Sequence, residues 1–220
     1  MSTSHERYPM HFVRVELVVL GILNGVLSVL LAKRSEAPFA GCWGLPGGVL
    51  RIDLDQDLRA AAGRVARERL SVELARVEQL GAVGARGRDP RAPWALSVVY
   101  VSLLRPDLFE ASPGKRVETL QWHPCAKLPA ARNMAFDHAE LIRRAVQVEQ
   151  AAAQRLDLPI GLLPDSFTLG ELQATFESIL GRPLDKSSFR RRLADLDRVV
   201  AVEGEMRIGP NRPAQIYRAR

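Results

Sequence analysis

Two β-rich apolar runs open the fold. Phe12 to Leu20 and Val26 to Lys33 are rich in Val and Leu and are separated by Leu23-Asn24-Gly25. Asn and Gly both tolerate positive φ, so the pair predicts a tight hairpin between two strands. The same break keeps the apolar stretch Leu17–Ala32 from reading as a membrane helix. After the turn-rich Gly41-Cys42-Trp43-Gly44-Leu45-Pro46-Gly47-Gly48, the period changes. Leu58, Ala61, Ala62, Val65 and Ala66 fall at helical spacing within Asp55–Leu70. Strand patterns return at Gln79–Val83, Ala95–Leu104 and Val117–His123, before Pro124 and Pro129. Asp137–Arg155 then reads as a long helix.

A different rhythm begins after Leu158-Pro159-Ile160-Gly161. Thr168-Leu169-Gly170-Glu171 has the spacing of a capping box, in which a hydroxyl and a carboxylate satisfy free amides at a helix start. The helix runs to Leu180. A turn at Gly181-Arg182-Pro183-Leu184 follows, and Asp185 caps a second helix to about Asp197, with Phe189, Leu193 and Leu196 expected inside. Two strands are expected around Gly204 and the Gly209-Pro210-Asn211-Arg212-Pro213 loop.

A length of 220 residues suits two modest domains, and the boundary is placed near Leu158. Cys42 and Cys125 lie in no CxxC or Cys/His cluster, which argues against a disulfide framework or a zinc site and for reduced core thiols. His5, Glu6 and Arg7 do not resemble a secretory signal, so a cytoplasmic location is expected. The net charge is +6, and from Arg182 to Arg220 ten basic residues face five acidic ones. A polyanionic partner suits this carboxyl-terminal bias.

Gly44-Leu45-Pro46-Gly47-Gly48 before a helix resembles the opening of the Nudix box, Gly-x5-Glu-x7-Arg-Glu-apolar-x-Glu-Glu-x-Gly-apolar. In Nudix hydrolases that helix aligns carboxylates to hold magnesium beside a pyrophosphate, since a hard cation requires oxygen ligands. Aligned by its small residues, this helix puts Arg64 on the motif arginine, Val65 on the first glutamate, and Glu68 and Arg69 on the glutamate pair. Using Arg67-Glu68 instead places Ser71 and Val72 on the pair, which also fails. Asp53, Asp55 and Asp57 lie ahead of the helix and read as caps and dipole partners, with cation binding as the alternative. No hydrolysis, catalytic residue, metal or cofactor is therefore expected, and Glu68 reads as a surface residue.

A pocket can persist without its chemistry, and arginines suit a phosphorylated nucleotide or sugar. Arg88-Asp89-Pro90-Arg91 and His138 are the candidate effector-binding positions, against the alternatives of a solvated loop and a structural histidine. In the last domain, Lys186, Arg190 and Arg191 share the side of their helix opposite Phe189, Leu193 and Leu196. With Ser187, Ser188 and Arg212 they form the candidate contacts to double-stranded operator DNA. A domain this small binds weakly alone, so a homodimer on a two-part operator is expected.

Together these segments resemble the Nudix-related transcriptional regulators, bacterial proteins that join a Nudix-like effector domain to a winged helix. The resemblance also rests on Ala135-Phe136-Asp137-His138, Phe167-Thr168-Leu169, Gly181-Arg182-Pro183-Leu184-Asp185-Lys186, Phe189-Arg190-Arg191 and Arg212-Pro213-Ala214. It implies an α+β protein: a Nudix-like α/β/α sandwich with a mixed sheet over residues 1–157, and a winged helix-turn-helix over 158–220. It further implies a repressor of NAD-related genes that senses ADP-ribose or a related nucleotide, with sugar-responsive members also known. Gly63, at a usually charged position, and Ser71, in place of the box glycine, depart from the pattern. An active nucleoside-diphosphate hydrolase and a ligand-binding adaptor without DNA affinity are the competing readings.

Overall fold

The computed structural model describes residues 12–74, 76–108, 110–208 and 213–220. The His5-Glu6-Arg7 segment and Arg212 lie outside the described residues. β1 (Phe12–Leu23) and β2 (Val26–Arg34) form the expected hairpin. Asn24 and Gly25 both have positive φ, 49° and 76°, as a two-residue primed turn requires. The turn-rich stretch supplies two short strands, β3 (Trp43–Gly44) beside β2 and β4 (Gly47–Val49) beside β1.

α1 (Leu58–Leu70) follows. It starts three residues later than the apolar spacing suggested, because Asp57 caps it by accepting from the Ala60 amide. β5 (Glu78–Arg86) and β6 (Trp94–Leu103) form an antiparallel pair. β6 lies parallel to β1 in the register Phe12↔Ala95 to Leu20↔Leu103. β7 (Val117–Pro124) pairs with β2 and completes a seven-stranded mixed sheet.

Strand alternation sorts the side chains of β1 between two faces. Val15, Leu17 and Val19 meet Ala61, Ala62, Val65, Ala66 and Leu70 of α1. Val18 and Leu20 meet Leu141, Ile142 and Ala145 of α2 (His138–Gln154) on the other face. The result is the expected α/β/α sandwich, and alanines on α1 let the helix lie close to the sheet.

The carboxyl-terminal unit comprises β8 (Phe167–Thr168), α3 (Leu169–Leu180), α4 (Lys186–Asp195), β9 (Val199–Arg207) and β10 (Ala214–Ala219), with sheet order β8-β10-β9. Both halves of the capping box are made: Thr168 Oγ1 accepts from the Glu171 amide at 3.2 Å, and Glu171 Oε2 accepts from the Thr168 amide at 2.8 Å. Gly181 ends α3 with φ of 67°. α4 stops two residues short of the expected end. Leu196 therefore falls at the helix cap and is 42% exposed, while Phe189 and Leu193 make the inner face of α4.

The two units share one apolar core. Leu27, Ala145 and Ala153 belong to the same buried cluster as Phe167, Leu172, Phe176, Ile179, Phe189 and Leu193. Polar contacts reinforce the junction at the far end of α2. Gln150 donates to the Ile179 carbonyl at 3.2 Å, and Arg192 to the Gln154 carbonyl at 2.7 Å. Among the described residues, no helix is long and apolar enough to cross a membrane.

Candidate effector site and nucleic-acid interface

Two charged residues interrupt β1 on the face that looks toward α2. Glu16 is fully buried and is surrounded by donors: Arg14 Nε at 3.3 Å, Arg88 Nη2 at 3.0 Å and His138 Nε2 at 3.2 Å. The Leu45 amide donates to His138 Nδ1 at 2.8 Å, which leaves Nε2 to carry the proton toward Glu16. Burial opposes ionisation of Glu16, but His138, Arg14 and Arg88 outweigh it and hold the carboxyl below its ordinary range. Arg88 also grips Asp137 through two bonds of 2.8 and 2.7 Å. Beside it, Asp89 is enclosed and accepts from the amide, Nε and Nη2 of Arg91.

The glycine-rich stretch packs onto this frame. A Cβ on Gly44 would stand 2.8 Å from His138 Nδ1, and one on Gly48 would stand 2.9 Å from Val65 Cγ2. Neither position has room for a side chain.

Above the frame, between β4, α1 and the segment leading into β7, lies a cleft of about 300 Å³. Its walls carry Arg14, Arg34, Arg51, Arg64, Arg69, Arg91, Lys115 and Arg116 against one carboxylate, Glu68. Arg64 clasps Asp55 through two bonds of 2.7 Å and also holds Glu68 at 3.2 Å. Arg69 donates to the Gly47 carbonyl at 3.0 Å and to the Lys115 carbonyl, and Arg34 to the Pro38 carbonyl at 2.7 Å. Neither Arg34 nor Arg69 forms an ion pair among the described residues.

Burial, and then the neighbouring arginines, lowers the pKa of both guanidiniums. Such a cluster of like charges favours an anion. At one edge Arg14 and Arg34 lie over the Phe136 ring, 5.5 and 5.3 Å from its centre, and Phe39 meets that ring edge-on.

A divalent cation does not suit this donor set. Val65 is in the core, Glu68 is held by Arg64, and Arg69 projects positive charge into the cleft. Asp53 pairs with Arg51, Asp55 with Arg64, and Asp57 caps α1. Among the described residues, no group of three or more His, Cys, Asp or Glu side chains is arranged to hold a metal.

On the carboxyl-terminal unit, α4 turns Lys186, Ser187, Arg190 and Arg191 outward, with Ser188 half-buried at its first turn. Lys186, Arg190 and Arg191 meet no carboxylate partner among the described residues. β9 and β10 form the adjoining wing.

The sequence of residues 13–145 matches the NUDIX domain model, and that of residues 159–219 matches the model of the NrtR DNA-binding winged helix domain. The chain is 34% identical to the ADPR responsive transcriptional repressor NtrR of Acinetobacter baylyi, across 96% of this chain and 83% of that protein. It belongs to the NrtR family of Nudix-related regulators.

Shewanella oneidensis NrtR in complex with a 27mer DNA superposes with a TM-score of 0.78 at 33% identity, covering 94% of this chain and 93% of that one. The NUDIX domain of the same NrtR, complexed with ADP ribose, gives a TM-score of 0.58 at 32% identity, over 64% of this chain and 90% of that one. An ADP-ribose pyrophosphatase of Methanocaldococcus jannaschii is 28% identical across 58% of this chain and 70% of its own length.

Within this NrtR-type architecture, the four effector-binding expectations fall into two places. Arg91 lines the cleft. Arg88, Asp89 and His138 are instead enclosed by ion pairs and hydrogen bonds, and they hold the wall rather than line it. Sequence reasoning passed over Arg14, Glu16 and Arg34. The available signal was Arg14 and Glu16 at alternate positions of an otherwise apolar strand, which puts two charges on one buried face. Arg34 gave none, since it closes β2 where a polar residue is ordinary.

Proposed function

We propose that this protein is a cytoplasmic, homodimeric transcriptional repressor of the NrtR type, which binds operator DNA through α4 and its wing and responds to ADP-ribose or a closely related nucleotide. One observation carries this reading: a helix whose hydrolase counterpart carries carboxylates here turns arginine into a cleft with eight cationic side chains and one carboxylate. A diphosphate matches that surface through charge-assisted hydrogen bonds. The A. baylyi and S. oneidensis relatives, with their ADP-ribose and DNA partners, support the same reading.

In this account Arg91, together with Arg14, Arg34 and Arg69, meets the effector, while Arg88, Asp89 and His138 position the wall. Lys186, Ser187, Ser188, Arg190, Arg191 and Arg212 meet DNA, and residues 1–157 and 158–220 are the two functional domains. Catalysis is absent because the carboxylates needed to hold magnesium are replaced.

The test is binding of the purified protein to its own upstream intergenic DNA at two salt concentrations, with and without ADP-ribose. Specific binding that weakens with salt and is released by ADP-ribose is expected. Binding indifferent to ADP-ribose removes that effector. Likeness to the pyrophosphatase and the surviving Glu68 favour the hydrolase as second reading. Turnover of ADP-ribose to AMP and ribose phosphate in magnesium, abolished by Glu68→Gln, would establish it instead.

A further inference from the structure

The cleft departs from a hydrolase site by more than missing ligands. Arg69, at a position where the family motif has a glutamate, is held from two sides by the carbonyls of Gly47 and Lys115. Those bonds occupy Nε and Nη1 and leave the Nη2 donors uncommitted among the described residues. Arg34, fixed through Nε by the Pro38 carbonyl, adds a second oriented guanidinium to the same cleft. Each is planar and permanently charged, and offers the paired donors that suit a phosphate edge.

We infer that this cleft takes its diphosphate free of magnesium, with the Arg69 guanidinium supplying the positive charge that a bound metal supplies in a hydrolase. This rests on the cleft being the effector site. The consequence has a definite sign. Magnesium in solution binds the diphosphate, neutralises it and occupies its oxygens, so the metal competes with Arg34 and Arg69 for the ligand. A hydrolase needs magnesium at this step; this protein is hindered by it.

The experiment is calorimetric titration of the full chain with ADP-ribose and, separately, with inorganic pyrophosphate, in EDTA and in millimolar magnesium. Both ligands are expected to bind in EDTA, and pyrophosphate to bind more weakly once magnesium is present. Arg69→Gln is expected to lose about tenfold or more in EDTA. Arg69→Lys, which keeps the charge but not the fork, should fall between them. Melting curves identify any variant that fails to fold, and Arg34→Gln then serves in place of Arg69→Gln.

Severalfold tighter binding in magnesium, no pyrophosphate binding in EDTA, or wild-type affinity in a folded Arg69→Gln protein would each overturn the inference. Pyrophosphate binding in EDTA without ADP-ribose binding would uphold it and remove ADP-ribose as the effector. ADP-ribose binding only with magnesium would do the reverse.

Discussion

Glu16 shows how much one side chain decides. Its carboxylate accepts from Arg14, Arg88 and His138 at a position with no solvent exposure, so replacing it with Gln leaves buried Arg14 only the more distant Asp89, at 3.9 Å, and Arg88 only Asp137 as counter-charge. Breaking a buried pair in this way costs about 3–5 kcal/mol. Glu16, Asp55 and Asp89 all titrate below their ordinary ranges in the folded chain; burial opposes this for Glu16 and Asp89, and for Asp55 the Arg64 bonds lead. A depressed folded pKa gives stability that is complete above the unfolded value, about 4, and is lost as pH falls through the folded value. Urea denaturation should therefore show Glu16→Gln far less stable than wild type at neutral pH, with the gap closing as the pH falls below about 4. A gap that stays constant with pH would refute the assignment. The sequence showed the Gly44–Gly48 stretch and the Arg88-Asp89-Pro90-Arg91 segment as places of interest. It did not show that Arg88 faces inward, because its ion pairs to Glu16 and Asp137 span 72 and 49 residues and leave no local mark.

At the scale of the element, α1 and α4 were legible for different reasons. α1 declares itself through small residues at helical spacing, yet it carries two costs. Gly63 stands mid-helix, where a Cβ would meet only Arg67 Nη1 at an ordinary 3.5 Å, and Ser71 takes the left-handed cap at φ of 58° that glycine adopts freely. Gly63→Ala should stabilise the protein by about 0.5–1 kcal/mol, and a thermal melt measures it. A melt unchanged or lowered would mean that this turn of α1 needs its glycine for a contact outside the chain. α4 was legible through its caps and its basic residues, but its end was not. Leu196 is apolar at the right spacing, and only the turn through Asp197, at φ of 48°, sends it outward. Arg190 and Arg191 are exposed and form no ion pair among the described residues, so their replacement by Ala should leave the melting temperature nearly unchanged while weakening DNA binding. Removing one phosphate-binding charge should reduce the slope of log affinity against log salt by about 1. Arg192 differs, since its guanidinium holds the end of α2, and Arg192→Ala should lower stability instead. A salt slope unchanged from wild type in both the Arg190→Ala and Arg191→Ala proteins would place the DNA surface elsewhere.

For the whole molecule, the decisive feature is that two sequence domains share one core. α2, 17 residues or about 25 Å long, begins at His138 against the wall of the cationic cleft and ends where Gln150 and Gln154 bond to α3 and α4. The boundary near Leu158 marked a change of pattern along the chain, but pattern cannot report that Phe176 and Leu27 belong to a single buried cluster. A shared core couples the stabilities of the parts, because neither can open without exposing apolar surface of the other. This has a direct test, since all three tryptophans, Trp43, Trp94 and Trp122, precede residue 158 and report only the first unit. Phe176 lies in α3, fully buried and edge-on to Phe189 with ring centres 5.8 Å apart. Phe176→Ala should cost about 3–5 kcal/mol. If the core is one unit, the tryptophan transition in urea shifts together with the far-ultraviolet circular dichroism transition, and both stay single and coincident. If the tryptophan transition stays in place while the dichroism splits into two steps, the units are independent. An effector in the cleft at one end of α2 would then have no packed route to the DNA-binding end, and in the proposed homodimer control of DNA affinity would act through the arrangement of the two copies.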